Sequence, residues 1–203
     1  MSKFRNLVVL SAFLLGGFTA AYADSINGSF SLSGNDSYNS STITFGTAAL
    51  GAGTDTGTQG ITGTFATYLT DGTPVVFAGG ALPYSSGNNT VTPPFQLFTI
   101  SQNGETFTFD LGSYSATYSA GGDFTSVFVD GEGSFSATGV VDYTSSPGSF
   151  IFSSQTVGDI TNTTFSASAD AVGTPAVPEP ASLALFGTGL LGVVGLARRK
   201  FSV

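Results

Sequence analysis

Almost all the ionisable chemistry in this chain is carboxylate: thirteen Asp and Glu against five bases, with no His and no Cys. The bases are Lys3, Arg5, Arg198, Arg199 and Lys200, so Asn6 to Ala197 contains no Lys, Arg or His. A Ser-His-Asp triad, a Cys-His pair and a Schiff-base lysine each need a residue type that this stretch lacks. Zinc sites built on Cys or His are excluded for the same reason. No phosphate loop or dinucleotide fingerprint occurs. Carboxylate chemistry remains, since a glycosidase needs only two acids. The candidates are Glu105, Asp110, Asp123, Asp130, Glu132 and Asp142. Asp130-Gly131-Glu132, with Asp123 or Asp142 nearby, also offers oxygens to calcium, but no EF-hand loop or nonapeptide repeat accompanies it. Most of these acids sit in or beside turn signals, where Asp serves local hydrogen bonds. The expectation is therefore a non-enzymatic protein with no catalytic residue, no cofactor and no metal.

The formal net charge is −8, and the long central stretch carries only negative charge. Nucleic acid is excluded as a partner, because binding phosphate needs cations that release counterions. Without Cys, disulfides contribute nothing in any compartment.

All five bases lie near the ends, and both ends read as addresses. Lys3 and Arg5 precede an apolar run from Leu7 to Phe18, and Ala21-Tyr22-Ala23 forms a small-x-small cleavage site. Residues 1–23 thus read as a secretory signal peptide, recognised by signal peptidase through Ala21 and Ala23 and cut after Ala23 to leave Asp24 first. At the other end, Val177-Pro178-Glu179-Pro180 opens an uncharged run from Ala181 to Ala197, closed by Arg198, Arg199 and Lys200. Residues 181–197 would span about 26 Å as a helix, enough for a short membrane crossing. Pro180 suits a first helical turn, and Glu179 suits its positive end. The three cations act as a stop-transfer signal that stays cytoplasmic. Both ends predict one topology: body across the inner membrane, C-terminus inside.

Pro-Glu-Pro, apolar span and basic cluster, in that order, resemble the PEP-CTERM sorting signal of Gram-negative bacteria. The same tail has been described as the C-terminal domain of certain ice-binding proteins. The resemblance covers about 25 residues and carries over Pro178, Glu179 and Pro180 as the recognition motif. It implies an exosortase partner, a membrane-embedded transpeptidase-like enzyme, that removes the tail at or near Pro-Glu-Pro. It also implies a cell-surface or extracellular destination, in bacteria that make exopolysaccharide and biofilm.

The elements between these ends follow from periodicity. Apolar residues alternate at Ile26, Gly28, Phe30 and Leu32; at Ile61, Gly63, Phe65, Thr67 and Leu69; at Phe107, Phe109 and Leu111; and at Phe150 and Phe152. A period of two marks half-buried strands. Turn signals recur at Gly34-Asn35-Asp36, Asp71-Gly72, Asn103-Gly104, Gly121-Gly122-Asp123, Asp130-Gly131 and Ser146-Pro147-Gly148. Gly46–Gly60 and Tyr84–Pro94 read as loops. The prediction is an all-β domain over residues 24–170, an antiparallel sandwich or barrel of about nine to twelve strands. A linker over 171–176 and the sorting tail over 177–203 follow. Fourteen Phe and six Tyr in the body give it a core. The main reading is an exported structural or matrix protein. The alternative is a polysaccharide-binding module in which Tyr38, Tyr68, Tyr84, Tyr114, Tyr118 or Tyr143 stacks on sugars. Ice binding and a carboxylate hydrolase are weaker alternatives.

Overall fold

A computed structural model of the chain describes residues 24–51, 60–78, 81–85, 87–158, 163–173 and 187–189. Among the described residues there are eleven strands: β1 (Asp24–Ser25), β2 (Gly28–Tyr38), β3 (Thr42–Leu50), β4 (Pro74–Phe77), β5 (Ala81–Pro83), β6 (Gly87–Gln102), β7 (Glu105–Gly121), β8 (Phe124–Thr138), β9 (Tyr143–Thr144), β10 (Ser146–Val157) and β11 (Thr163–Ala171). A short helix, α1 (Gly63–Tyr68), lies between β3 and β4.

The strands run in the order β2-β11-β10-β8-β7-β6-β4-β3, and β2 also pairs with β3. That pairing closes eight antiparallel strands into a barrel, which settles the choice between sandwich and barrel. Closure removes the open edges that would otherwise template aggregation. β5 adds to β3 beyond β4, and β1 pairs in parallel with β9.

The hairpins that set this register were legible. Asn103 and Gly104 both have positive φ, 52° and 80°, between the paired residues Gln102 and Glu105. This is the Asn-Gly turn whose twist matches its strands. Gly122, at φ 61°, opens the two-residue turn from β7 to β8.

The inward faces hold the core. Phe30, Phe98, Phe107, Phe109, Phe135, Phe150 and Phe152 are all fully buried. β11 contributes small residues between large ones: Ala169 is paired with Phe30 on one side and Phe150 on the other. Gly148 makes similar room, with the Phe135 ring over it. The rings meet edge-on or tilted, as at Phe30–Phe65 (4.9 Å, 87°) and Phe109–Phe135 (4.8 Å, 44°). Each such pair adds about 0.5–1.5 kcal/mol to its area burial.

Several sequence expectations are corrected. Ile61 to Leu69 is not a strand. Ile61, Phe65 and Leu69 are buried at a spacing of four, so they share one face of α1 and its flanks. Phe65 closes one end of the barrel against Phe30, Phe107 and Phe135. Gly34-Asn35-Asp36 is not a turn but a register shift within β2. Asp130-Gly131 lies in mid-β8, where Gly131 is an inward position against Leu111. Ser146-Pro147-Gly148 begins β10. The loops at Gly46–Gly60 and Tyr84–Pro94 shrink, since β3 continues to Leu50 and β6 begins at Gly87. β6 carries its two prolines at a register shift between Thr90 and Phe95, where a missing N–H is tolerated.

Candidate functional site

The predicted carboxylates do not converge. Among the described residues, no group of three or more His, Cys, Asp or Glu side chains is placed to hold a metal ion. Asp110, Asp130 and Glu132 alternate with inward residues and stand opposite Ser134, Ser115 and Ser113 on the outer wall. Asp123 is at the β7–β8 tip, and Asp142 is exposed between β8 and β9.

Glu105 is different, because it is fully buried. Its Oε2 accepts the backbone N–H groups of Val140 (2.9 Å) and Val141 (3.3 Å), while Oε1 has no partner. This carboxylate holds the loop after β8 against the start of β7.

The acid that the sequence reading missed is Asp36. Within Gly34-Asn35-Asp36 it reads as a turn residue, yet it continues the inward series Phe30, Leu32 and Gly34 along β2. That parity was its available signal. Asp36 is 2% exposed. Its Oδ1 accepts hydroxyls from Thr163 (2.6 Å) and Ser154 (2.9 Å), on the next two strands of the wall. Its Oδ2 has no partner. Burial pushes the carboxyl above its ordinary range, and the hydrogen bonds from Thr163 and Ser154 oppose the shift.

The six tyrosines mostly spend their hydroxyls inside the protein. Tyr38 donates to the Thr125 carbonyl at 2.8 Å, reaching from β2 to β8, and its ring meets Tyr118 edge-on. Tyr84 donates to the Asn39 carbonyl and Tyr114 to the Pro83 carbonyl. Tyr68 and Tyr143 share a hydroxyl contact of 3.1 Å. Burial pushes Tyr84 up to about 12, with Tyr118 and Tyr38 adding to it. Burial, then the Tyr68 hydrogen bond, pushes Tyr143 up to about 12. These rings pin loops onto strands, and Tyr84 and Tyr114 are themselves buried.

The remaining sites lie at the chain ends. The cleavage residues Ala21 and Ala23, the motif Pro178-Glu179-Pro180 and the cluster Arg198-Arg199-Lys200 fall outside the described residues. So does the expected membrane helix 181–197, apart from residues 187–189, which are helical and exposed. Among the described residues, no helix is long and apolar enough to cross a membrane.

The fold defines a closed antiparallel β-barrel domain, and its sequence continues into an address. The family model of the PEP-CTERM protein-sorting motif matches residues 176–200, so the chain carries that motif. The motif implies export, processing by an exosortase and membrane-associated maturation in a Gram-negative bacterium. No curated protein and no solved structure matched the chain.

Proposed function

We propose that this protein is a non-enzymatic barrel delivered to the cell surface or extracellular matrix, linked to exopolysaccharide or biofilm. The observation that carries the reading is the sorting motif at residues 176–200 on a body with no cationic, imidazole or thiol side chain. The signal peptide starts export and is cut after Ala23. Residues 181–197 then hold the precursor in the inner membrane as a helix, with Arg198, Arg199 and Lys200 cytoplasmic. Exosortase releases the body at or near Pro178-Glu179-Pro180. Deleting residues 177–203 is expected to abolish processing and surface retention while the barrel still folds. Unchanged surface retention after that deletion contradicts the proposal.

A second reading, polysaccharide binding, has support from the outer wall rather than from the tyrosines. Ser29, Asp170, Ser149, Glu132 and Ser113 stand in register across β2, β11, β10, β8 and β7. Such rows offer donors and acceptors at strand spacing to sugar hydroxyls. The purified body on a glycan array tests it, and binding unaffected by Ser149→Ala and Ser113→Ala argues against this wall.

A further inference from the structure

The first and last residues of the described barrel meet. Asp24 and Ser25 pair with Tyr143 and Thr144, and the Thr144 hydroxyl donates to the Asp24 carbonyl. At the other end of the body, the Val172 N–H donates to the Pro147 carbonyl at 2.9 Å. Gly173 then packs so closely that a Cβ there would stand 2.7 Å from Ser25 Oγ and 3.2 Å from the Ile26 carbonyl oxygen. Both addressed ends therefore leave the barrel from one rim. It is the rim where β2, β7 and β10 begin and β3, β6, β8 and β11 end, the end that Phe65 closes.

This rim exposes apolar side chains. Val140 is 70% and Val172 62% exposed, and Val141 is also open to solvent. Among the described residues its exposed charges are the acids Asp24 and Asp142, and the sequence places no Lys or Arg between Asn6 and Ala197. Other exposed apolar residues lie elsewhere: Val76, Phe128 and Ile151 on the outer wall, and Phe124 paired with Val157 at the opposite rim.

We infer that this valine-bearing rim is the face that the precursor lays against the membrane, and that its partner is a neutral, zwitterionic lipid interface. The inference rests on the reading of residues 181–197 as a membrane span. Covalent connection decides which end faces the lipid. Residues 174–180 separate Gly173 from that span, and seven residues reach roughly 25 Å at most. On the other side, Asp24 follows the signal peptide directly. A strand of fifteen residues such as β8 is about 50 Å long and, tilted as barrel strands are, rises roughly 40 Å along the axis, so the opposite rim stays out of reach when the near rim is tethered. The acids and the absence of cations disfavour anionic head groups, which attract basic segments. The rim then keeps the Pro-Glu-Pro segment next to the bilayer, where a membrane-embedded processing enzyme works.

Because the chain has no Cys, single reporters test this directly. Val140→Cys at the rim, Ile151→Cys on the wall and Asp123→Cys at the far tip are exposed positions that leave the core intact. Each full-length variant carries an environment-sensitive fluorophore. It is reconstituted into phosphatidylcholine vesicles containing a lipid-attached quencher, with Leu191→Cys marking the span. The expected result is strong quenching at Leu191→Cys and Val140→Cys and background quenching at the other two. Replacing part of the phosphatidylcholine with phosphatidylglycerol reduces the Val140→Cys signal. Quenching at Leu191→Cys without Val140→Cys, or equal quenching at Val140→Cys and Ile151→Cys, overturns the rim assignment alone. No quenching at Leu191→Cys overturns the membrane span, and the rim assignment with it.

Discussion

The Thr163 hydroxyl donates to the Asp36 carboxylate at 2.6 Å, tying β11 to β2 across the seam next to the closure of the barrel. The carboxyl is buried and its second oxygen is unpartnered, so the barrel favours its neutral form. The unfolded chain ionises Asp36 at the ordinary carboxylate value, while the folded chain does so only at higher pH. Its contribution to stability is therefore complete below the ordinary value and lost as pH rises through the raised one. Asp36→Asn keeps an acceptor for Thr163 and cannot titrate. Urea titrations between about pH 4 and pH 8 are expected to show the wild type losing ground to Asp36→Asn as pH rises. A difference that does not change with pH contradicts this.

Two tyrosines give an alkaline counterpart. Tyr84 and Tyr143 are held up to about 12, whereas the unfolded chain ionises them at the ordinary value. Rising pH between those values favours the unfolded chain. Burial also pushes Tyr114 up, so phenolate absorbance is expected to keep rising well above the ordinary tyrosine value, with stability falling over the same interval. Phenolate absorbance of the folded protein that is complete at the ordinary tyrosine value argues against the packing described.

The plug at the barrel end is testable by truncation. Phe65 lies 5.1 Å from both Phe107 and Phe135 and is fully buried. Phe65→Ala is expected to destabilise by about 3–5 kcal/mol in chemical denaturation. A loss below about 1 kcal/mol would mean that α1 is not an integral cap.

Gly148 tests the opposite error, overfilling. A Cβ there would sit 2.6 Å from Cδ2 of Phe135 and 2.7 Å from the Asp170 carbonyl oxygen. One neighbour is a core ring and the other is backbone, so neither gives easily. Gly148→Ala is expected to cost about 1–3 kcal/mol. The exposed Gly158, with nothing near its Cβ position, is not a matched control because its φ is 75°. Ser153→Ala on the outer wall serves instead and is expected to stay within about 0.5 kcal/mol.

Much of this architecture was legible where local rules and global packing agree. Phe107, Phe109 and Leu111 alternate and are all buried, and Asn103-Gly104 makes the turn that its residues favour. Legibility failed where one residue serves two grammars. Glycine marks turns, but Gly131 and Gly148 are strand positions emptied to admit Leu111 and Phe135. Asp marks turns, but Asp36 is an inward side chain at a register shift. Ile61, Phe65 and Leu69 fit a period of two and a spacing of four equally well. The helix prevailed because Gly28 and Gly63 allow the segment to pack on the start of β2. The sorting motif was readable because its meaning lies in residue order and charge, independent of the barrel.

The central claim is that the barrel is cargo and both charged ends are temporary. Intact-mass analysis of the protein recovered from the cell surface or medium tests it most directly. The account predicts a chain that starts at Asp24 and stops near Pro178-Glu179-Pro180. Because Asn6 to Ala197 holds no Lys or Arg, trypsin leaves that chain whole. Surface protein that retains residues 181–203 in a strain with active exosortase contradicts the account.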